Sequence, residues 1–200
     1  MRLDVDRLRR DIVFRERLRD AEFEFRTTWG LFSPRGVDEG SRLLARHLEI
    51  HPGDDCLDLG CGYGPIGLVM ARCAPAGTTF MVDKDFVAVE YAAENARRNG
   101  LENCRALLSN GFDQLPREQR FDVIAANLPA KVGKELLAIL LCDARARLRD
   151  GGRLYVVTIS GLRRFIERAL REVFGNYEKV KQGKSYTVAL ARVAAACGER

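Results

Sequence analysis

Three short segments carry residue types that can hold and modify a ligand: Asp58-Leu59-Gly60-Cys61-Gly62-Tyr63-Gly64, Asp83-Lys84 and Asn127-Leu128-Pro129. In the first, glycines at alternate positions let the backbone turn sharply and approach a ligand closely, and Pro65 after them is pre-shaped for the first turn of a helix. Asp83 closes the next apolar run, where a carboxylate accepts both hydroxyls of a ribose. Together these describe a nucleoside site. Gly62-Tyr63-Gly64-Pro65-Ile66-Gly67 also satisfies the dinucleotide pattern G-x-G-x-x-G, a weak match by itself.

Two features favour S-adenosylmethionine over a nicotinamide dinucleotide. Asp58 puts a carboxylate beside the loop, where a sulfonium and an ammonium are attracted and a pyrophosphate is repelled. Phe121-Asp122-Val123-Ile124-Ala125-Ala126 then delivers Asn127-Leu128-Pro129 to the sheet edge that carries the glycine loop. Each residue has a plainer alternative. Asp58 could cap the loop's own amides, and Asn127 could be a turn residue before Pro129. Asn110 could hydrogen-bond an adenine edge or cap a turn into Gly111, and Phe112 could flank the adenine or pack in the core.

The elements that must position these residues follow from periodicity. From Asp54 onward short apolar runs alternate with amphipathic segments, the pattern of βαβ units around a mostly parallel sheet. Strands are expected at Asp55–Leu59, Thr78–Val82, Arg105–Leu108, Phe121–Ala126 and Arg153–Ile159, and helices at Pro65–Cys73, Phe86–Asn99, Lys134–Leu148 and Leu162–Phe174. Asp85 is placed to cap the second helix and Gly100 to stop it. Tyr177–Val180 and Ser185–Val193 lie too close in sequence for a helical crossover, so they must pair antiparallel, an ending unusual for nicotinamide-binding domains. Upstream, the charge alternation of the first twenty residues reads as a surface helix, Ala21–Thr27 as a half-buried strand, and Val37–Leu48 as a helix.

With these elements in place, the chain resembles the small class I methyltransferases related to the ribosomal RNA guanine-N2 methyltransferases, including stand-alone archaeal-type members. The likeness runs from about Phe23 to Leu190. It is carried by Thr28-Trp29-Gly30-Leu31-Phe32-Ser33, Val37-Asp38-Glu39-Gly40-Ser41-Arg42-Leu43-Leu44, the glycine loop, Val82-Asp83 and Glu94-Asn95-Ala96-Arg97-Arg98-Asn99-Gly100. The resemblance implies a Rossmann-like α/β fold: a mostly parallel seven-stranded sheet, helices on both faces, and a C-terminal antiparallel hairpin. It implies a donor site drawn from Phe32, Asp38, Asp58, Gly60, Cys61, Gly62, Gly64, Asp83, Lys84, Asn110, Gly111, Phe112 and Asn127. The catalytic segment would be Asn127, Leu128 and Pro129, with the Asn127 oxygen and the Leu128 carbonyl accepting the two hydrogens of a planar amine. One departure stands out. The family usually reads Asn-Pro-Pro-aromatic where this chain reads Asn127-Leu128-Pro129-Ala130, so either Trp29 or Tyr63 stacks on the substrate or the substrate is not a nucleobase.

Composition sets the outer limits. Two hundred residues at 46% hydrophobic content fit one core, so we expect one domain, with 1–30 as an N-terminal helix-and-strand extension and 31–193 as the catalytic core. No apolar run approaches the ~20 residues of a membrane span, and the six cysteines show no metal-ligand spacing, so a cytoplasmic protein without a metal is expected. Residues 145–184 hold eleven Lys/Arg against four Asp/Glu, a candidate footprint for RNA phosphates or a solvated helix face. His47 and His51 precede the first expected strand of the sheet and read as surface residues. The leading expectation is an RNA base N-methyltransferase, on guanine N2 of ribosomal or transfer RNA, with a homodimer as one way to complete the RNA surface. The alternatives are an N-methyltransferase of a protein glutamine or a small amine, and a module that binds donor or RNA without catalysis.

Overall fold

The computed structural model describes residues 4–129 and 132–195. Its centre is a seven-stranded sheet of β3 (Cys56–Leu59), β4 (Thr79–Asp83), β5 (Cys104–Leu108), β6 (Phe121–Asn127), β7 (Leu148–Ile159), β8 (Glu178–Gln182) and β9 (Tyr186–Arg192). In space these run β5-β4-β3-β6-β7-β9-β8. Pairings from β5 to β7 are parallel, whereas β9 is antiparallel to both β7 and β8. The antiparallel ending is therefore as expected, with β9 inserted so that β8 forms the edge. The nearly unbroken burial of β3, β4, β6 and β7 is what a sheet covered on both faces requires.

Five helices cover it. α2 (Glu39–His47), α3 (Pro65–Cys73) and α4 (Phe86–Arg98) lie on one face, and α5 (Lys134–Arg147) and α6 (Arg163–Phe174) on the other. Ile166, Ala169, Leu170 and Phe174 are the buried stripe of α6, spaced so that they return to one side every three to four residues. Asp85 caps α4, its Oδ1 accepting the Val87 amide at 2.9 Å, and Gly100 follows the helix at φ 65°. Among the described residues no helix is long and apolar enough to cross a membrane.

The N-terminus departs from the helical expectation. Only α1 (Val5–Leu8) is helical; Ile12–Leu18 is a strand, β1, paired antiparallel with β2 (Ala21–Thr27) from Ile12↔Thr27 to Leu18↔Ala21. Pairing across a two-residue turn, with Arg19 at φ 54°, outweighs the mixed charges that read as a helical surface. In β1 Val13, Arg15 and Arg17 are exposed while Ile12, Phe14, Glu16 and Leu18 share the other face, and the hairpin buries Leu18, Phe23 and Phe25 against α3 and α4.

Two asparagines four residues apart, Asn95 on α4 and Asn99 at its C-cap, fix the hairpin. Asn95 is fully buried; its Oδ1 accepts the Arg26 amide at 2.7 Å, and its Nδ2 donates to the Arg26 and Tyr63 carbonyls at 3.0 and 2.9 Å. Asn99 accepts the Glu24 amide at 3.0 Å and donates to the Glu24 carbonyl at 2.8 Å. The edge of β2 is thus satisfied by side chains instead of another strand. Asn95→Ala should destabilise the protein by about 1–3 kcal/mol for each buried backbone group left unpaired, read as a lower urea midpoint with the slope kept. An unchanged midpoint would mean that apolar contacts alone hold the hairpin.

Candidate active site

Strand order diverges between β3 and β6, and the crevice in such sheets opens at the carboxyl ends of the diverging strands. There the chain leaves β3 through Gly60–Gly64 and enters α3 at Pro65. The Gly60 and Cys61 amides donate to the Val82 carbonyl at 2.9 Å, and the Gly62 amide donates to Asp83 Oδ2 at 2.9 Å, so the loop is tied to the end of β4. Gly60 and Gly62 stand at φ 76° and 54°, and a Cβ on either would meet nothing within 4 Å. Both faces are open for the close approach of a ligand.

Asp58 lies fully buried beneath this loop. Its Oδ2 accepts the Gly67 amide of α3 at 2.7 Å, while Oδ1 is buried with no hydrogen-bond partner among the described residues. Burial pushes the carboxyl up to about 7; the Gly67 amide opposes that rise and the Asp83 charge adds to it. One oxygen therefore does the plainer job of holding the first turn of α3, and the other is an unpaired acceptor whose ionisation a nearby cation would favour. Cys61 is a buried neutral thiol, driven well up by burial and by the Asp58 and Asp83 charges.

Asn127 ends β6, and its Nδ2 donates to Asp38 Oδ1 and to Ser41 Oγ, each at 3.1 Å. A primary amide carries two donor hydrogens, and both are engaged, so the capacity left is that of an acceptor at Oδ1. Asp38 is also the N-cap of α2, its Oδ1 accepting the Ser41 amide at 3.1 Å. The opening turn of one helix thus decides which way the amide of a distant strand faces. Next to it, the Leu128 amide donates to the Val157 carbonyl at 3.0 Å, keeping this segment in line with β7, and Pro129 is exposed.

The remaining expected residues divide. Lys84 and Asn110 are exposed at the same edge, and the Asn110 amide donates to Gln114 Oε1 at 3.1 Å within the turn through Gly111. Phe112 is buried with Leu115, Phe121 and Leu141, the packing alternative. Phe32 is 69% exposed in the segment ahead of α2. Tyr63 is not free to stack on a substrate: it is 3% exposed, edge-on to Phe25 at 5.7 Å and to Phe14 at 6.2 Å, with its hydroxyl within 3.2 Å of the Ser33 and Gly36 carbonyls. The hairpin claims that ring. Trp29 stays 40% exposed, with the Arg35 guanidinium 4.6 Å from its ring centre, and Ala130 lies outside the described residues. Ser41 and Tyr186 were missed in the sequence; the ring of Tyr186 packs so close to Gly40 that a Cβ there would lie 3.0 Å away. The signals for Ser41 were its place in the Val37–Leu44 segment that carries the resemblance and its spacing of three from Asp38, which places both at a helix start.

A family model described as the methyltransferase small domain matches residues 22–190, from β2 to within β9. The chain belongs to that family. Among its relatives is the uncharacterized protein YbxB of Bacillus subtilis (strain 168), 35% identical over 88% of this chain and 89% of that one. Ribosomal RNA small subunit methyltransferase C of Pseudomonas aeruginosa (strain UCBPP-PA14) is 33% identical over 88% of this chain and 52% of its own length. Among solved structures, T. thermophilus 16S rRNA N2 G1207 methyltransferase, in complex with AdoMet and guanosine, superposes with a TM-score of 0.83 at 31% identity, covering 92% of this chain and 50% of that one. This methyltransferase small domain thus spans about half the length of the ribosomal RNA methyltransferases it matches.

Proposed function

We propose that this chain is an S-adenosylmethionine-dependent N-methyltransferase acting on the exocyclic N2 amine of a guanine in ribosomal RNA. The observation that carries the reading is the fixed amide of Asn127, with both hydrogens engaged by Asp38 and Ser41 and its oxygen left to accept. Relatives whose names give ribosomal RNA as their substrate support the same class of acceptor.

The donor site fits the residues present. The open faces of Gly60 and Gly62 admit a ligand against the backbone, Asp83 offers a carboxylate for ribose hydroxyls, and the unpaired Asp58 Oδ1 is a buried acceptor whose carboxyl no cation among the described residues stabilises. In this reading Lys84, Asn110 and Gly111, which follow the carboxyl ends of β4 and β5, border the donor, Cys61 and Phe112 back it, and Phe32 flanks its entry. When bound, S-adenosylmethionine supplies an electrophilic methyl group on a cationic sulfur. The chain's task is to present the nucleophile. An amine that donates one hydrogen to Asn127 Oδ1 and the other to the Leu128 carbonyl has its lone pair directed out of the plane of those bonds. Holding it there removes orientational freedom before reaction, an effect that can contribute ~7–11 kcal/mol. No histidine is needed: His47 Nδ1 lies 2.8 Å from the Leu43 carbonyl near the far end of α2, and His51 is exposed.

The test is to incubate the protein with methyl-labelled S-adenosylmethionine and separated fractions of unmodified ribosomal RNA, transfer RNA, protein and small metabolites. Label recovered as N2-methylguanine from ribosomal RNA is the expected result; label confined to protein or metabolites would replace the acceptor, and bound donor with no acceptor would remove the enzymatic reading. Asp38→Ala should lower kcat about 10- to 100-fold, the cost of releasing a part-buried amide from its partner, with donor affinity nearly kept. Asp38→Asn, which retains an acceptor oxygen, should recover most of the loss. A fall confined to donor affinity would instead place Asp38 on the donor.

A further inference from the structure

We propose that Lys134, Arg163, Arg164, Lys181 and Lys184 form the surface that grips the phosphate backbone of the RNA substrate; this rests on the functional reading above. From Lys134 to Arg192 most of the cations divide into two sets, with Arg145, Arg168 and Lys179 in neither. Arg147 donates to the Pro116 carbonyl at 2.6 Å, Arg149 pairs with Asp55 at 2.7 Å and also with Asp122, and Arg153 is buried against Asp54. Arg171 pairs with Glu167 at 3.2 Å, and Arg192 lies 3.6 Å from Glu49. These charges are engaged in holding the protein together.

The second set collects at the edge that carries Asn127. α5 begins at Lys134, just beyond Pro129, and α6 begins with Arg163 and Arg164 just beyond the carboxyl end of β7. β8 is antiparallel to β9, as β7 is, so β8 runs with β7 and its end at Lys181–Gln182 reaches the same edge, with Lys184 in the turn that follows. Arg163 donates to Gln182 Oε1 at 3.0 Å and Lys134 Nζ lies 5.8 Å from the Phe165 ring centre, joining the three elements. The turn also abuts α2: a Cβ on Gly183 would be 3.5 Å from Leu43, and Tyr186 packs on Gly40, two residues from the Asp38 that holds Asn127. Among the described residues, no carboxylate is paired with any of the five cations.

Lysine on an exposed edge strand such as β8 also discourages edge-to-edge pairing, which accounts for Lys181 alone. It does not account for the helix starts. The opening turn of α6 carries two arginines and no acid, although a helix N-terminus favours negative charge, whereas the first turn of α5 sets Lys134 beside Glu135. Cations kept where the helix disfavours them, beside the acceptor residue and free of ion pairs, fit a polyanion crossing this edge.

The experiment compares R163Q/R164Q/K181Q/K184Q with R17Q/R46Q/R97Q/R145Q, which removes the same charge elsewhere: three of its positions are in the last turns of α2, α4 and α5, at the opposite edge. Affinity for fluorescein-labelled, unmodified ribosomal RNA is measured across salt concentrations, with donor affinity and thermal midpoint checking the fold. Four lost phosphate contacts should flatten the log–log salt dependence by about 3 and raise KM for RNA at least tenfold in the first variant only. A wild-type slope in the first variant, or an equal loss in both, would overturn the proposal. RNA gripped through this edge with no methyl transferred would keep the surface and overturn the functional reading instead.

Discussion

Asn127→Ala is expected to lower kcat by on the order of 10²–10³-fold while donor affinity changes less than about threefold. That magnitude is what removal of one preorganised hydrogen-bonding group at a reacting centre typically costs. The two readouts separate because Asn127 is anchored from the protein side: its Nδ2 is engaged by Asp38 and Ser41, and its oxygen is the part left for the acceptor. Loss of that oxygen leaves the amine with the Leu128 carbonyl alone, free to rotate about a single hydrogen bond, and an angular error at the nucleophile is costly in an in-line displacement. Asn127→Asp is the sharper companion. It retains an acceptor oxygen but loses both donated hydrogens and places a carboxylate against Asp38, so it should also be impaired. Label transfer under single-turnover conditions and donor titration are the measurements. Turnover within about threefold of wild type in Asn127→Ala would remove this residue from the chemistry.

How far the sequence predicted this arrangement depended on how local each signal was. α3 begins at Pro65 and ends at Cys73 as expected, because the glycine loop, the proline and the apolar run lie within one short stretch. Strands β3 to β6 were located within a residue or two, since β3, β4 and β6 are buried on both faces and mostly apolar, while the half-exposed edge strand β5 still reads as a short apolar run. The N-terminal hairpin was half missed. Arg15, Glu16 and Arg17 look like a solvated helix until Glu16 is seen receiving Arg42 and the Val37 amide, partners more than twenty residues away. Burial alone would raise Glu16, yet Arg42 and that amide outweigh it and hold its carboxyl below the ordinary range. The same limit governs the site. Asn127 was visible as a residue type, but the direction of its amide is set across 86 residues by Ser41. Tyr63 looked available because nothing in its neighbourhood of sequence announces Phe14 and Phe25. Charge counts located the basic third of the chain, whereas only the fold tells which of its arginines are already paired.

Asp58→Asn is expected to weaken donor binding at least about thirtyfold while making the ligand-free protein more stable at neutral pH. Both effects follow from one buried oxygen. The folded-state pKa of about 7 lies above the ordinary carboxyl value of 3.8, so this group's contribution to stability is complete below about 3.8 and is lost as pH rises toward 7. As pH rises through 7 the ligand-free fold therefore comes to carry an uncompensated carboxylate, and among the described residues the groups coupled to it, Asp83, Cys61 and Cys104, offer no positive charge to relieve it. A cationic ligand reverses the balance: it lowers the pKa of Asp58, so binding releases a proton and affinity should climb with pH up to about 7 and level off above it. Removing one member of a buried charge pair costs about 2–5 kcal/mol, the origin of the thirtyfold lower bound. Asparagine keeps an oxygen for the Gly67 amide, so the first turn of α3 should survive the change. Calorimetric titration from pH 5 to 8 and urea midpoints over the same range check the two halves separately. Wild-type affinity in the variant would confine Asp58 to its bond with Gly67. A weaker donor site with an unchanged stability profile would instead place the donor's cation on Asp58 without the burial penalty that sets its titration.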